Sequence, residues 1–145
     1  MMAERTLDDV VLSRIGTGST EARVSYLAEA TLQEPRLAGK TLRAVAKAIP
    51  REVVARSIDI NVTNLSKLYS RKHLTRVQSE DISDLTALWQ EMNEVFMGDG
   101  ETLREWLADP LPALNGRAPK ELMQTLPGRK ALREILDSLR QGDFA

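Results

Sequence analysis

Residues 51–70 read Arg-Glu-Val-Val-Ala-Arg-Ser-Ile-Asp-Ile-Asn-Val-Thr-Asn-Leu-Ser-Lys-Leu-Tyr-Ser, and this stretch decides the fold. Two short helices that cross steeply need a small residue where they touch, and Ala55 stands at that place. Their shared core needs apolar side chains at fixed spacing, which Val54, Ile58, Ile60, Val62, Leu65 and Leu68 supply. Helix breakage around Asp59-Ile60-Asn61 provides the turn. This is the spacing of a helix-turn-helix, whose second helix enters the DNA major groove with its N-terminal residues toward the base edges. The turn usually carries Gly where this chain has Asp59, and Asp accepts a left-handed backbone better than most residues.

The charge around this stretch agrees with that reading. Residues 39–76 hold nine bases (Lys40, Arg43, Lys47, Arg51, Arg56, Lys67, Arg71, Lys72, Arg76) and two acids, Glu52 and Asp59. The block is +7 inside a chain of formal charge −1, so the other 107 residues carry −8. A basic block within an acidic protein points to a phosphate-bearing partner, although solvated helix surfaces also carry charge runs. With Val62, Leu65 and Leu68 inward, Thr63, Asn64, Lys67 and Arg71 face outward. Asn64 suits a bidentate contact to adenine, Lys67 a guanine, and Thr63 a thymine methyl. Asn61 opens the helix, while Lys72, His73 and Arg76 follow in a loop suited to phosphates.

Outward from this block, apolar positions recur at helical spacing almost throughout. Leu7, Val10, Val11 and Ile15 share one face, and Gly16-Thr17-Gly18 interrupts it. Ser19 or Thr20 caps an expected helix bearing Val24, Leu27, Ala28 and Leu32, which stops near Pro35. A further helix, Thr41 to Ala48, turns Leu42, Val45 and Ala46 inward, and Pro50 suits the first turn of the next. Ser79-Glu80-Asp81 reads as a strong helix start, a hydroxyl cap followed by two acids. Ile82, Leu85, Leu88, Trp89, Met92, Val95 and Phe96 give that helix a wide apolar face, and Gly98-Asp99-Gly100 ends it. Glu101 to Ala108 presents Leu103, Trp106 and Leu107. A loop from Pro110 to Pro119 leads to a helix through Leu122, Met123 and Leu126, and Gly128 is expected to break the chain. Leu132, Ile135, Leu136 and Leu139 complete a last helix ending at Gly142. The expected fold is all-α.

Composition excludes much chemistry. The 145 residues contain no Cys and one His, with 42% hydrophobic and 4% aromatic content. Disulfides, thiolate metal sites and Cys nucleophiles are therefore absent, and no multi-histidine metal site can form. No apolar run approaches the ~18–20 residues of a membrane helix, and the N-terminus lacks a secretory pattern. A cytoplasmic binding protein without cofactor or metal is expected. His73 has no recognisable orienting carboxylate, so it makes a poor general base. Glu101 and Glu105 share a helix face, but exposed acidic pairs seldom do chemistry.

A second signature lies in the acidic half. Trp106-Leu107, Pro110, Ala113-Leu114-Asn115-Gly116, Pro119, Glu121-Leu122, Thr125, Gly128, Leu132, Ile135-Leu136, Leu139 and Gly142 form an ordered string. It resembles the toxin-binding domain of the Xre/MbcA/ParS antitoxins, whose pattern runs Trp-Leu, Pro, Ala-Leu-Gly-Gly, Thr-Pro, Leu-Leu, Thr, Gly and a closing helix. The likeness extends upstream through residues 79–85 and Val95 to Asp99, so it covers about residues 40–145. Asn115 and Ala118 stand where the family has Gly and Thr, and the recognition helix carries less Arg than is usual.

The resemblance implies an Xre-like helix-turn-helix domain at 39–97 and a toxin-binding domain at 98–145; the segment at 1–38, read as helical from its spacing, has no family counterpart. It implies an antitoxin that neutralises a co-encoded RES-domain toxin, an enzyme that breaks down NAD⁺ or ADP-ribosylates a target with it. The antitoxin's end blocks the toxin's active site, and its helix-turn-helix domain, as a dimer, represses the operon. The residues implied in toxin binding are Arg104, Arg140, Gln141, Gly142, Asp143, Phe144 and Ala145. The alternative is a stand-alone transcriptional regulator whose C-terminal half only dimerises.

Overall fold

The computed structural model describes residues 6–16 and 36–142. They form eight α-helices and two short 3-10 turns, with no strand among the described residues. The helices are α1 (Leu7–Ile15), α2 (Gly39–Ala48), α3 (Arg51–Ser57), α4 (Val62–Leu65), α5 (Arg76–Val95), α6 (Gly100–Ala108), α7 (Pro119–Leu122) and α8 (Leu126–Arg140). The 3-10 turns span Ser66–Leu68 and Pro112–Leu114. The all-α expectation holds. The helix expected at 19–34, with Val24, Leu27, Ala28 and Leu32, lies outside the described residues, as do Asp143, Phe144 and Ala145.

The long helix α5 is the spine. It packs on α1, α3, α6 and α8. Ile82, Leu85, Leu88 and Met92 are fully buried along it, with Leu42, Val45, Val54, Leu65, Leu132 and Leu136 from its neighbours. A single apolar core therefore runs from α1 to α8. Trp89 belongs to this core, while Val95, Phe96 and Trp106 are half-buried at its end.

Local chemistry explains where the helices begin. Thr6 and Asp9 form a reciprocal capping box on α1, each side chain accepting the other's backbone N–H at 3.1 Å. Ala38 cannot cap α2. Asp8 of α1 supplies the missing acceptor, taking the Ala38 N–H at 2.9 Å and the Thr41 hydroxyl. A carboxylate at a helix N-terminus also meets the positive end of the dipole. Described residues of the N-terminal segment thus brace the core and the start of α2.

Three expectations at helix starts are corrected. Ser79-Glu80-Asp81 does not start α5; the helix begins a turn earlier, where Thr75 and Gln78 form a capping box at 3.0 and 3.1 Å. Ser79 is instead fully buried, its hydroxyl accepting the Leu37 N–H and donating to the Thr75 carbonyl, both at 2.8 Å. Gly128 does not break the chain. Thr125 caps α8 three residues before it, and Gly128 sits inside the first turn. A Cβ there would lie 2.3 Å from the Leu122 carbonyl oxygen, so glycine admits the close approach of α7. The α7 helix ends at Leu122, leaving Leu126 62% exposed at the start of α8 rather than inward.

Candidate functional site

The α3–α4 junction shows how this sequence makes a tight turn. Asp59 has φ +57°, the left-handed conformation expected at the glycine-like position. The Ile60 N–H donates to the Ala55 carbonyl at 3.0 Å and the Asp59 N–H to the Arg56 carbonyl at 3.1 Å. These two bonds are the Schellman pattern that satisfies the end of a helix. Ala55 is fully buried, and Val54, Ile58, Leu65 and Leu68 are buried in the same core. Val62 departs from the expected core, being 37% exposed at the first position of α4. Asn61 caps α4 by accepting the Thr63 N–H at 3.3 Å.

The glycine that matters most to this face is Gly39. Its N–H donates to the Arg71 carbonyl at 2.9 Å, and a Cβ would lie 2.2, 2.6 and 2.7 Å from the carbonyl oxygens of Leu68, Tyr69 and Arg71. Backbone-to-backbone contact of this kind seats the start of α2 on the chain that follows α4. It is reinforced where the Leu74 N–H meets the Leu37 carbonyl at 2.7 Å and Arg36 reaches the Leu74 carbonyl at 3.0 Å.

All seven residues expected to touch DNA (Asn61, Thr63, Asn64, Lys67, Arg71, Lys72 and Arg76) are exposed. The structure brings Asn61, Thr63, Asn64 and Lys67 together on α4 and its 3-10 extension, with Arg71 and Lys72 just after. Every one of the nine bases in 39–76 is exposed, and among the described residues only Arg76 is ion-paired, to Glu80 at 3.4 Å. A depression of about 510 Å³ opens beside the turn, lined by Glu52, Arg56, Asp59, Asn61 and Val62 with Gln124 and Thr125 of the C-terminal half.

The residues implied in toxin binding fall on separate elements. Arg104 is exposed on α6, and Arg140, Gln141 and Gly142 are exposed at the end of α8. Arg140 pairs with Asp137 at 3.1 Å, and Gly142 ends the helix with φ +73°. Asn115 adopts φ +56° after the Pro112–Leu114 turn, a left-handed step that Asn tolerates better than most residues.

A buried charge cluster escaped the sequence reading. Arg129 is fully buried and donates to Asp84 at 2.6 Å, Asp81 at 2.8 Å and the Met123 carbonyl at 3.0 Å. Arg133, one turn on, pairs with Asp84 at 3.0 Å and Glu91 at 3.1 Å. Burial alone would raise the Asp84 pKa, but hydrogen bonds and charges from Arg129 and Arg133 hold it below the ordinary carboxylate value. The signal was present as Asp81, Asp84 and Glu91 on one face of α5 and Arg129 and Arg133 four apart on α8. Asp81 serves this cluster and not a helix start. Its geometry locks α8, with the α7 end, onto the helix that also supports α3. Among the described residues, no group of three or more His, Asp or Glu could hold a metal ion.

Comparison with known proteins bears on the C-terminal half. Residues 93–142 match the family described as the antitoxin Xre/MbcA/ParS C-terminal toxin-binding domain. A curated relative from Sphingobium sp. (strain YBL2), named Prs ADP-ribosylating antitoxin, is 26% identical over 106 residues, covering 67% of each chain. No solved structure matches significantly. Both matches support an antitoxin of the Xre/MbcA/ParS type.

Proposed function

We propose that this chain is an antitoxin of the Xre/MbcA/ParS type, acting as a two-faced, non-catalytic inhibitor and repressor. Its C-terminal half neutralises a co-encoded RES-domain toxin that consumes NAD⁺ or ADP-ribosylates with it, by occluding the toxin's active site. Its α3–α4 unit binds operator DNA as a homodimer and represses the operon. The observation that carries the toxin-binding half is the family match over residues 93–142.

Occlusion draws on the chemistry of the chain's end. Arg140, Gln141 and Gly142 lead out of α8 as exposed residues, and Asp143-Phe144-Ala145 follows in sequence with an acid and an aromatic ring. An enzyme cleft that takes a phosphorylated, aromatic-bearing dinucleotide suits such groups. Arg104 on α6 is the further residue assigned to the toxin. The DNA half draws on the left-handed turn at Asp59 and on nine exposed bases, with one surface ion pair between them and the described residues. Asn64, Lys67 and Thr63 read base edges, while Asn61, Arg71, Lys72 and Arg76 position the backbone. Exposed cations that keep no intramolecular partner are available to phosphates. Such a system works in the cytoplasm, and among the described residues no helix is long and apolar enough to cross a membrane.

The test is co-expression with the neighbouring reading frame, followed by gel filtration and an NAD⁺-consumption assay. A co-eluting complex whose partner consumes NAD⁺ only when freed is expected. No complex and no toxicity from the neighbour would leave a stand-alone regulator, for which the basic α3–α4 surface is the supporting observation.

A further inference from the structure

Helix α2 carries a basic surface of its own, outside the α3–α4 unit. From Arg36 to Arg51 the chain has five bases and no acid. Three of them, Lys40, Arg43 and Lys47, follow at i, i+3 and i+7 and are exposed, while Gly39, Thr41, Leu42, Val45 and Ala46 are buried. That spacing puts the three bases on one face of the helix, turned from the core. None of them forms an ion pair with a described residue. The stripe works against its own helix. Like charges three and four residues apart repel, and Lys40 stands in a first turn that holds no acid, where the helix dipole disfavours a cation. Asp8, at that end, meets the Ala38 N–H and the Thr41 hydroxyl rather than a base of α2. An exposed stripe that weakens the helix bearing it points to a partner of opposite charge.

The stripe starts beside the helix-turn-helix. The Gly39 N–H bonds the Arg71 carbonyl at 2.9 Å, so Lys40 comes directly after the contact with the chain that follows α4, where Arg71 and Lys72 are exposed. From there α2 rises about 1.5 Å per residue, which carries the stripe about 10 Å to Lys47. A duplex presents a phosphate about every 3.4 Å of axis on each strand, so that length passes about three of them. The composition of the face selects among anionic partners. Ala44 and Ala48 beside the bases are half-buried, and α2 has no aromatic ring. Single-stranded nucleic acid is held by stacking on such rings, and a membrane surface by exposed apolar side chains; α2 offers neither. A row of exposed cations fits the phosphodiester backbone of a duplex, which positions a protein without reading sequence.

We propose that Lys40, Arg43 and Lys47 form a phosphate track along α2 that grips the duplex beside the groove entered by α4. The track supplies sequence-independent affinity, and α4 supplies the preference for one sequence. The inference rests on the DNA-binding reading and deepens it. Asn61, Thr63, Asn64 and Lys67 together bring one positive charge to the groove, whereas the stripe on α2 brings three. Counterion release scales with the phosphates engaged, so the larger share of the salt dependence falls on α2.

The test measures the affinity of the full chain for the duplex upstream of its own reading frame and for a random duplex of equal length, across a salt series. Lys40→Gln/Arg43→Gln/Lys47→Gln is expected to lower the slope of log K against log salt by about 2–3, at about 0.9 per phosphate. Both duplexes should weaken by the same factor, leaving their ratio within two-fold of the parent's. The melting temperature should hold or rise, because like charges leave an exposed face. Arg43→Gln alone should lower the slope by about 1. Asn64→Ala should do the converse, changing the ratio at the parent's slope. A triple variant with the parent's slope and affinities would overturn the track and leave DNA binding by α4 standing. A parent that binds neither duplex overturns both. A ratio changed ten-fold by the triple variant would place these residues in sequence readout and overturn the division. Toxin binding lost with duplex binding unchanged would assign the face to an acidic protein surface, which also overturns it.

Discussion

Asp59 and Gly39 show how much a single position decides here. Asp59 sits at φ +57° because two backbone hydrogen bonds close the turn around it, and its side chain tolerates that region without being free of strain. Asp59→Gly should therefore stabilise the protein by about 0.5–1 kcal/mol, read as a rise in the urea midpoint with an unchanged slope. A lower midpoint would mean that the carboxylate does something for the turn beyond tolerating it. Gly39 is the opposite case. Gly39→Ala forces a Cβ against three backbone carbonyls that cannot move aside independently, so a loss of at least about 3 kcal/mol is expected. A variant that melts within a few degrees of the parent would show that α2 can shift off the chain after α4. The Asp59 conformation was legible because glycine's usual place in a helix-turn-helix spacing implies it. Gly39 was not: its role depends on residues about thirty positions away.

At the scale of elements, the α5–α8 contact turns on the Arg129–Arg133 cluster. Arg129 is fully buried while its carboxylate partners keep about 30% exposure, so removing it leaves half-solvated acids and a void. Arg129→Ala should cost about 3 kcal/mol, the lower end for breaking a buried pair. Charge on Asp84 stabilises the native state because its folded pKa lies below the unfolded value. That contribution is fully present above the unfolded pKa of about 3.9 and is lost as pH falls through the folded value. Denaturation midpoints followed from pH 6 to pH 2 should fall less steeply for Asp84→Asn than for the parent. Parallel curves would remove Asp84 from the acid transition. Sequence periodicity found both helices, yet it began each one late, reading Asp81 as part of one helix start and Gly128 as a break before the other. The Thr75–Gln78 box caps the helix one turn earlier, so Asp81 and Asp84 lie inside it and their carboxylates meet Arg129 instead.

At the scale of the molecule, one core joins the basic α3–α4 face to the acidic C-terminal half through α5. The two faces are nevertheless chemically distinct, and they should separate experimentally. Deletion of Asp143–Ala145 should weaken toxin inhibition and leave operator binding nearly intact; equal loss of both would sink the division of labour. Operator affinity should fall steeply with salt, and Lys67→Ala should relax the preference for cognate over random DNA by about 1–3 kcal/mol. An unchanged ratio of the two affinities would remove Lys67 from the base-reading residues.

What the chain determined by itself was whatever depends on near neighbours in sequence: helical periodicity, the turn at Asp59, the segregation of charge, and the ordered string that marks the C-terminal half. Spacing along a helix dictates which side chains share a face, so these features need no tertiary knowledge. The tertiary structure decided what depends on distance between elements. It set Asp8 at the start of α2, buried Arg129 between two acids of α5, packed Gly39 and Gly128 against foreign carbonyls, and left Met97 pointing into solvent. A residue's partner across the core is set by how helices cross, and no local pattern encodes that crossing.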